Sequence, residues 1–585
     1  MDAQTAETRA RAKSEARVGD SESRPPDLDN TDRSIGLLIF LASLAYLYLF
    51  RLYTMMDPDE GIILQGAERI LHGQMPYRDF FSFYTPGSYY VTAAALKLLG
   101  DKLESARMAV ALGMSVVSAL TYLVARRVCS RGVAAFTAAL ATLTVLPFRD
   151  LVLHNWDSTV WAMLALYVAV RYLEASGTGW AFALGSLTAA TALCEQSKGA
   201  GLALGLGLSF GVLAIASRRR SGGVLTAERA SPEGAAMRTS PLQHVVAMVA
   251  GLACPFVLVV AWFWHQHALA PMLSDLLWPL HHYSRTNSVP YGYQSWSEAA
   301  RKSLFGSGGW GQRVLALVIV SPCFLVPVLP LVAVGIFARL AHQAAVSRTN
   351  SGGEVLSARS QHYLLVSGVS IGLLFSVVAV RADIVHFMYV APMLYLVLAW
   401  ILDGRDIHSD LYRALRPWLR VLIVACFPLF VAALATRTLT ARVPIQTHRG
   451  EVRAPVPDQV LPLIQSQVSA GSTTFVYPYL PLYYYLTATF APGPQDYLQP
   501  GMHTGEQQAE MIRGIAADRT PMVLYEYGFD EKIANSWPRT PLDAIARDPV
   551  ADFLLAQYHG CSVVTSAGGG RFLFMVRKDL PCPAR

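Results

Sequence analysis

Residues 56–90 read MDPDEGIILQGAERILHGQMPYRDFFSFYTPGSYY and directly follow an apolar run over residues 35–54. Three acids, Asp57, Asp59 and Glu60, fall within four residues at the predicted edge of a membrane. A helical pattern follows them, because apolar residues recur with the spacing of one helix face. Capping of that helix explains one acid at its start but not three. The cluster is therefore a candidate for chemistry at a membrane surface.

The composition is that of an integral membrane protein. Only 15% of the 585 residues are charged, where soluble proteins average about 25%, and 53% are hydrophobic. The net charge of +7 does not indicate a nucleic-acid partner, because the arginines cluster in short segments between apolar runs. The sequence has no Walker A motif and no H-E-x-x-H motif, so nothing indicates a P-loop nucleotide site or a zinc protease.

The sequence predicts a polytopic α-helical membrane protein with about eleven transmembrane helices. The predicted spans cover residues 35–54, 104–125, 132–148, 155–173, 179–194, 199–217, 243–264, 314–338, 362–380, 386–403 and 419–437. Residues 88–100 are also apolar, but this stretch is too short for a span, which needs about 20 residues. We interpret it as an interfacial helix with its aromatic residues at the level of the headgroups.

The distribution of Lys and Arg predicts the orientation. If 88–100 does not cross, the loops on one side hold 16 Lys and Arg in 81 residues, and those on the other hold 11 in 118. The richer side is expected to be cytoplasmic. The N-terminus is then inside, with residues 1–33 as a disordered tail. The first outer loop (55–103) and the C-terminal region lie outside.

The C-terminal region, residues 438–585, is predicted to be a small soluble α/β domain. Short β-like runs at 475–477, 522–525, 562–565 and 572–576 accompany a helical pattern near 542–558. The small residues 567–570 join the last two runs as a hairpin turn would. Cys561 and Cys582 both fall in this domain, and the sequence leaves open whether they are bridged or free.

In the first loop the sequence resembles the glycosyltransferase C superfamily. The closest resemblance is to its bacterial branch of protein O-mannosyltransferase-like and lipid A aminoarabinose transferase-like enzymes. The residues that carry it are the Asp59-Glu60 pair, AERILHG at 67–73, PGSYY at 86–90, Gly100 and Arg107; RADIVH at 381–386 and YPYLPLYYYL at 477–486 also fit. The resemblance covers most of the chain in layout and is most specific over residues 55–130, so residues 34–437 are expected to form a transmembrane glycosyltransferase-like domain.

The resemblance implies an enzyme of the bacterial inner membrane that transfers a sugar from a polyprenyl-phosphate carrier. The acceptor would be a lipid, polysaccharide or protein of the cell envelope, and the anomeric centre would be inverted. Asp59 matches the presumed catalytic base, with Asp57 and Glu60 beside it. Asp157 is the best match for a second acid, with Asp150 as its substitute. A divalent cation held by Asp59 and Asp157 is left open.

Sugar transfer from such a carrier releases an anionic lipid phosphate, which needs cations or a metal to stabilise it. The family often has Lys-Pro-Pro before the interfacial helix, whereas this chain has Tyr84-Thr85-Pro86 and lacks the lysine. Alternative roles for the first two candidate cations are ion pairs, of Lys198 with Glu195 and of Arg381 with Asp383. The candidate substrate- and phosphate-binding residues are Lys198, Arg381, Arg285, Arg78, Asp79, Tyr84 and His386.

Two other classes of function stay open from the sequence. One is a non-catalytic or transport protein that moves a lipid-linked sugar across the bilayer. The other is an inactive relative that acts as an assembly scaffold. Four glycines in one span, at 201, 205, 207 and 211, predict close helix packing rather than a nucleotide-binding loop.

Overall fold

The computed structural model describes residues 28–221, 240–294, 302, 306, 309–346, 356–405, 407 and 410–583. Most of the predicted N-terminal tail, residues 1–27, lies outside this part of the chain. Each of the eleven predicted spans coincides with a helix. The helices are Asn30–Tyr48, Leu103–Arg126, Arg131–Leu140 with its continuation through Ala141–Val145 and Leu146–Phe148, His154–Glu174, Thr178–Cys194, Gln196–Ser221, Pro241–His265, Trp310–Val346, Ala358–Val380, Ile384–Asp403 and Asp410–Leu439.

Within the described residues, eight of these helices are long and apolar enough to cross a membrane. The other three are Asn30–Tyr48, His154–Glu174 and Thr178–Cys194, the last with 17 residues. The protein is therefore a polytopic α-helical membrane protein, and the count of eleven spans stays a prediction. Gly87–Leu99 is a separate helix of 13 residues and is not among the eight, as expected from the length of the 88–100 stretch.

Two spans approach each other closely at glycines. A Cβ atom on Gly205 would lie 2.5 Å from the carbonyl oxygen of Gly368, and Gly201 is equally tight against Gly372. The helices Gln196–Ser221 and Ala358–Val380 therefore touch backbone to backbone, as small residues allow in membranes. The packing prediction is confirmed for Gly201 and Gly205, but Gly207 and Gly211 face open space.

The first loop forms a buried helix, Pro58–Leu71, which we call the loop helix. It packs against Gly87–Leu99, and a Cβ on Gly61 would collide with the backbone of Leu482 in the C-terminal domain. Because the loop helix contacts neighbours on opposite sides, all ten of its residues from 60 to 69 are buried, including the polar ones. The loop helix thus lies between the transmembrane part and the C-terminal domain and contacts both.

The C-terminal domain contains a hairpin, β1 (Val443–Thr447) and β2 (Gly450–Ala454), and a four-stranded sheet. In the sheet, β3 (Phe475–Tyr477) runs parallel to β4 (Met522–Tyr527). β5 (Tyr558–Thr565) pairs antiparallel with β6 (Arg571–Arg577), and β6 also pairs antiparallel with β4. The strand order is β3-β4-β6-β5. The helices are Val460–Gln467, Leu482–Thr487, Gly505–Asp518, Phe529–Ser536, Leu542–Ala546 and Pro549–Gln557.

The four predicted strands and the turn at 567–570 coincide with β3 to β6. The single predicted helix near 542–558 is two helices, because Asp548 begins a new one by accepting hydrogen bonds from the backbone N–H groups of Val550 and Ala551. The β1–β2 hairpin and the Gly505–Asp518 helix were not predicted. Cys561 and Cys582 form a disulfide, which resolves the open pairing.

We predict that Gly205→Val destabilises the protein and that Gly207→Val does not. Both glycines lie in the same helix, but only the first lacks room for a side chain. Forcing a side chain into a close-packed contact typically costs about 1–3 kcal/mol. Thermal unfolding in detergent should show a lower midpoint for Gly205→Val alone, and equal midpoints would contradict the close crossing.

Candidate active site

The acidic cluster lies at the N-terminus of the loop helix. Asp57 is the N-cap residue, and its Oδ1 accepts a hydrogen bond from the backbone N–H of Asp59 at 3.0 Å. Pro58 occupies the first helical position, where the missing N–H costs nothing. The positive end of the helix dipole favours the carboxylates of Asp57 and Asp59. The local sequence therefore fixes both carboxylates at one helix end.

Arg149 connects the two carboxylates. Its Nη2 lies 2.9 Å from Oδ2 of Asp57 and 2.7 Å from Oδ2 of Asp59, while Nη1 donates to the hydroxyl of Tyr389 at 3.0 Å. The other oxygen of Asp59, Oδ1, accepts a hydrogen bond of 2.7 Å from the hydroxyl of Tyr479. Asp59 is therefore held by one group from the transmembrane part and one from the C-terminal domain.

Burial and these contacts shift the pKa values of Asp57 and Asp59 in opposite directions. Burial raises the pKa of Asp57 above its ordinary value, against the attraction of Arg149. Burial also opposes ionisation of Asp59, but Arg149 and the Tyr479 hydroxyl outweigh it and lower the pKa of Asp59. With a pKa below the ordinary value for an aspartate, Asp59 carries a negative charge at neutral pH.

Asp57 and Asp59 line a cavity of about 870 Å³ between the transmembrane part and the C-terminal domain. Of the predicted site residues, Tyr84, Arg381 and His386 line it too. The ring of Tyr84 lies 4.1 Å from that of His154, measured between centroids. Unpredicted lining residues include Arg149, His154, Glu195, Tyr389, Tyr479, Glu526, Lys532 and Trp537.

Lys198 lies behind one wall of the cavity and does not line it. Its Nζ contacts the backbone oxygen of Asn155 at 2.8 Å, Ser158 Oγ at 2.8 Å, Thr159 Oγ1 at 3.0 Å and Glu195 Oε2 at 3.0 Å. Its side chain is 2% exposed. Burial opposes ionisation of Glu195, but Lys198 lowers the pKa of Glu195 to about 2. The ion pair with Glu195, which was the predicted alternative role of Lys198, is therefore present. Lys198 keeps the carboxylate of Glu195, a residue that lines the cavity, negatively charged.

Arg381 is also bound within the protein. It pairs with Asp383, donates to Oδ1 of Asn287 at 3.0 Å and donates to the backbone oxygen of Ser536 in the C-terminal domain. Asp383 in turn accepts from Nδ1 of His386 at 2.7 Å. The predicted alternative, an ion pair of Arg381 with Asp383, is present. This network fastens the C-terminal domain over the cavity.

Glu60 does not lie in the cavity with the other two acids. Its side chain is 0% exposed and forms a two-fold ion pair with Arg107, with distances of 2.8 and 2.7 Å. Its Oε1 also accepts a hydrogen bond from the backbone N–H of Val152. No surface of Glu60 is open to a ligand. Its side chain instead acts as a clamp, because it connects the loop helix to Arg107 in a span and to Val152 in the 148–154 loop.

The remaining predicted residues lie outside the cavity lining. Asp157 is half-buried near the start of the His154–Glu174 helix, and Asp150 is buried, with its pKa raised by burial to about 7. Arg78 and Asp79 pair with each other on the surface, and Arg285 is exposed on a short helix. The geometry thus brings together five of the eleven predicted site residues.

The sequence did not single out Arg149, Tyr389 or Tyr479. Arg149 had a weak signal, because it is the one cation in a short predicted outer loop and directly precedes Asp150. Tyr389 lies inside a predicted span and Tyr479 is 420 residues from its partner Asp59, so no local pattern connects them. Only the folded chain shows that they converge.

The described residues do not fit a divalent cation at the acidic cluster. A hard cation needs several oxygen ligands on one point. Asp57 and Asp59 already share the guanidinium of Arg149, and Asp157 does not line the cavity. Among the described residues, the one group of three potential ligands is at 559, 561 and 582, where two members form the disulfide.

One comparison with known proteins, the match to a family model, agrees with the resemblance drawn from the sequence. Residues 84–222 match the family model described as dolichyl-phosphate-mannose-protein mannosyltransferase. The chain is a multi-pass membrane protein, and this match confirms its resemblance to glycosyltransferases of the C superfamily. A comparison with curated proteins gave no match.

Two crystal structures of ArnT from Cupriavidus metallidurans are similar to this chain. The apo structure has 15% sequence identity and a TM-score of 0.48, and the structure bound to undecaprenyl phosphate has 14% and 0.47. Each alignment covers 92% of this chain and 97% of that one.

We predict that Glu60→Gln destabilises the protein by about 3 kcal/mol or more, because it leaves Arg107 buried without its charge partner. The matched control is Glu104→Gln. Glu104 pairs with Arg51 where both side chains are partly exposed, and such pairs contribute about 1 kcal/mol or less. Thermal or chemical unfolding of the two variants in detergent is the measurement. A larger effect at Glu104 would contradict the clamp role of Glu60.

Proposed function

We propose that this protein is a glycosyltransferase that takes a sugar from a polyprenyl-phosphate donor, with Asp59 as general base. The observation that carries the proposal is the position of the Asp59 carboxylate, which is held by Arg149 and Tyr479 in a cavity beside the membrane-spanning helices. The family match over residues 84–222 supports the reaction class. The acceptor is a hydroxyl-bearing component of the cell envelope.

The chemistry is a displacement at the anomeric carbon. The acceptor hydroxyl donates a hydrogen bond to Asp59, its oxygen attacks the anomeric carbon, and the bond from that carbon to the phosphate oxygen breaks. The proton passes to Asp59, and the lipid phosphate leaves as an anion. Attack from the side opposite the leaving group inverts the configuration. Because positive charge develops on the sugar before the proton is lost, a weakly basic carboxylate is sufficient.

Asp57 and Arg149 position the base. Arg149 binds one oxygen of Asp59 and Tyr479 binds the other, so the carboxylate cannot rotate away from the cavity. Asp57 shares the guanidinium of Arg149 and keeps it at the helix end. Preorganisation of this kind lowers the barrier because the groups need no rearrangement during the reaction.

The proposed orientation places the cavity and the C-terminal domain outside the cytoplasm of a bacterial inner membrane. The distribution of Lys and Arg supports it, and Arg218, Arg219 and Arg220 would otherwise face outward. A topology reporter fused after residue 75 is expected to report the outer side. A cytoplasmic signal would remove the proposal that an exported acceptor reaches Asp59.

We predict that Asp59→Asn abolishes release of polyprenyl phosphate from a polyprenyl-phosphate sugar, with a loss of at least about 100-fold. The amide keeps the size and one hydrogen-bonding oxygen but does not accept a proton. Purified wild type and variant would be incubated with a panel of donors and crude envelope acceptors. Asp79→Asn is the control, because Asp79 pairs with Arg78 outside the cavity lining. Equal release by wild type and Asp59→Asn would remove Asp59 from the mechanism. No release from any donor by the wild-type protein would favour a non-catalytic or transport role.

The effect of pH should follow from the lowered pKa of Asp59. A base acts only when deprotonated, so activity is lost as the pH falls through its pKa, which lies below the ordinary value for Asp. In Arg149→Gln the attraction is removed and the pKa of Asp59 rises. The acidic limb of kcat/KM should therefore move to higher pH. Arg453→Gln, at an exposed ion pair with Glu451, should leave the limb unchanged.

A further inference from the structure

The leaving phosphate needs a cation, yet the arginines at the cavity are already engaged. Arg149 is bound to Asp57, Asp59 and Tyr389, and Arg381 is bound to Asp383, Asn287 and Ser536. Lys198 has four oxygen partners and no contact with the cavity. Recruiting any of them for a ligand would break a network that holds the site together.

Lys532 differs from these cations. It lies in the Phe529–Ser536 helix of the C-terminal domain, lines the same cavity as Asp59, and its side chain is 48% exposed. Its Nζ has one partner among the described contacts, Oε1 of Glu526 on β4. An ammonium group has three N–H donors, so two remain for a ligand.

Glu526 is built into the domain as a fixed anchor for this lysine. Its side chain is 1% exposed, and its second oxygen, Oε2, is buried with no hydrogen-bond partner. A Cβ on Gly570 would lie 2.6 Å from its Oε1, so a side chain at this position would displace the carboxylate. A buried carboxylate in this setting needs the nearby positive charge. Glu526 therefore holds the ammonium group of Lys532 at the cavity.

We propose that Lys532, anchored by Glu526, binds a phosphate group in this cavity. The inference rests on the proposed function, in which that phosphate belongs to the lipid-linked donor. A compact ammonium on a flexible stem suits a phosphate whose charge grows as the sugar leaves. It also supplies from the C-terminal domain the cation that the first loop lacks at Tyr84-Thr85-Pro86.

The test is equilibrium binding of polyprenyl phosphate to the full-length protein in detergent, without acceptor and without turnover. Lys532→Gln should weaken binding about tenfold or more, as expected for the loss of a charge-assisted hydrogen bond. Lys532→Arg should restore most of the affinity. Lys578→Gln is the matched control, because Lys578 is an exposed lysine of the same domain outside the cavity lining.

Two further ligands, polyprenol and inorganic phosphate, show whether Lys532 recognises the phosphate group. Polyprenol, the uncharged alcohol, should bind wild type and Lys532→Gln alike. If inorganic phosphate competes with polyprenyl phosphate in wild type but not in Lys532→Gln, the site recognises the phosphate group itself. If binding of polyprenyl phosphate depends on Lys532 but inorganic phosphate does not compete, the site recognises the lipid-linked form. Unchanged affinity of a folded Lys532→Gln for polyprenyl phosphate, or equal affinity of wild type for polyprenol, would overturn the proposal.

Failure of this inference is distinguishable from failure of the proposed function. Lys532-dependent binding in a wild-type protein that transfers no sugar would leave the phosphate site standing and remove the transferase. If sugar transfer is lost in Asp59→Asn but Lys532→Gln binds polyprenyl phosphate as wild type does, the transferase proposal stands and the phosphate site at Lys532 is removed.

Discussion

The guanidinium of Arg149 is the interaction on which the site depends. Two carboxylates at one helix end repel each other, and burial at the membrane surface penalises both charges. Arg149 offsets this by binding Asp57 and Asp59 together. Arg149 extends from the segment between two predicted spans. Its contacts with Asp57 and Asp59 therefore form only when the first loop is docked on the transmembrane helices. Assembly of the Asp57–Arg149–Asp59 cluster and folding of the helix bundle are therefore coupled.

The loop helix transmits this coupling to the C-terminal domain. Glu60 ties its first turn to Arg107 of a span, whereas Arg69 and Glu68, near its other end, pair with Asp496 and Arg449 of the domain. These pairs are almost completely buried. Removing one partner of such a pair leaves an uncompensated charge, so the geometry is specified more strictly than by apolar packing alone. The loop helix thus fixes the distance between the membrane helices and the domain that closes the cavity.

The sequence was sufficient for features that depend on local pattern. Apolar runs located the eleven helices and the strands β3 to β6, because burial in lipid or in a sheet imposes a period on consecutive residues. The acidic cluster was found because three acids near a predicted span are unusual. Glu60 could not be separated from Asp57 and Asp59 in this way, since its partner Arg107 is 47 residues distant. Tyr479 and Lys532 were out of reach for the same reason, because only the tertiary fold brings them to the cavity.

The position of Lys532 bears on how this chain differs from the family that it resembles. A lysine in the first loop would place the phosphate charge on the same element as the base. Here the first loop has Tyr84 where the family often has that lysine, and Lys532 belongs to a domain that begins after the last predicted span. The proposed base and the proposed phosphate-binding group then lie on separate parts of the chain, which are joined by the Arg381–Ser536 and Tyr479–Asp59 contacts. A donor that touches both parts would stabilise the closed arrangement, since a ligand favours the state to which it binds more tightly. If the proposed function holds, the C-terminal domain of this chain is a component of the active site.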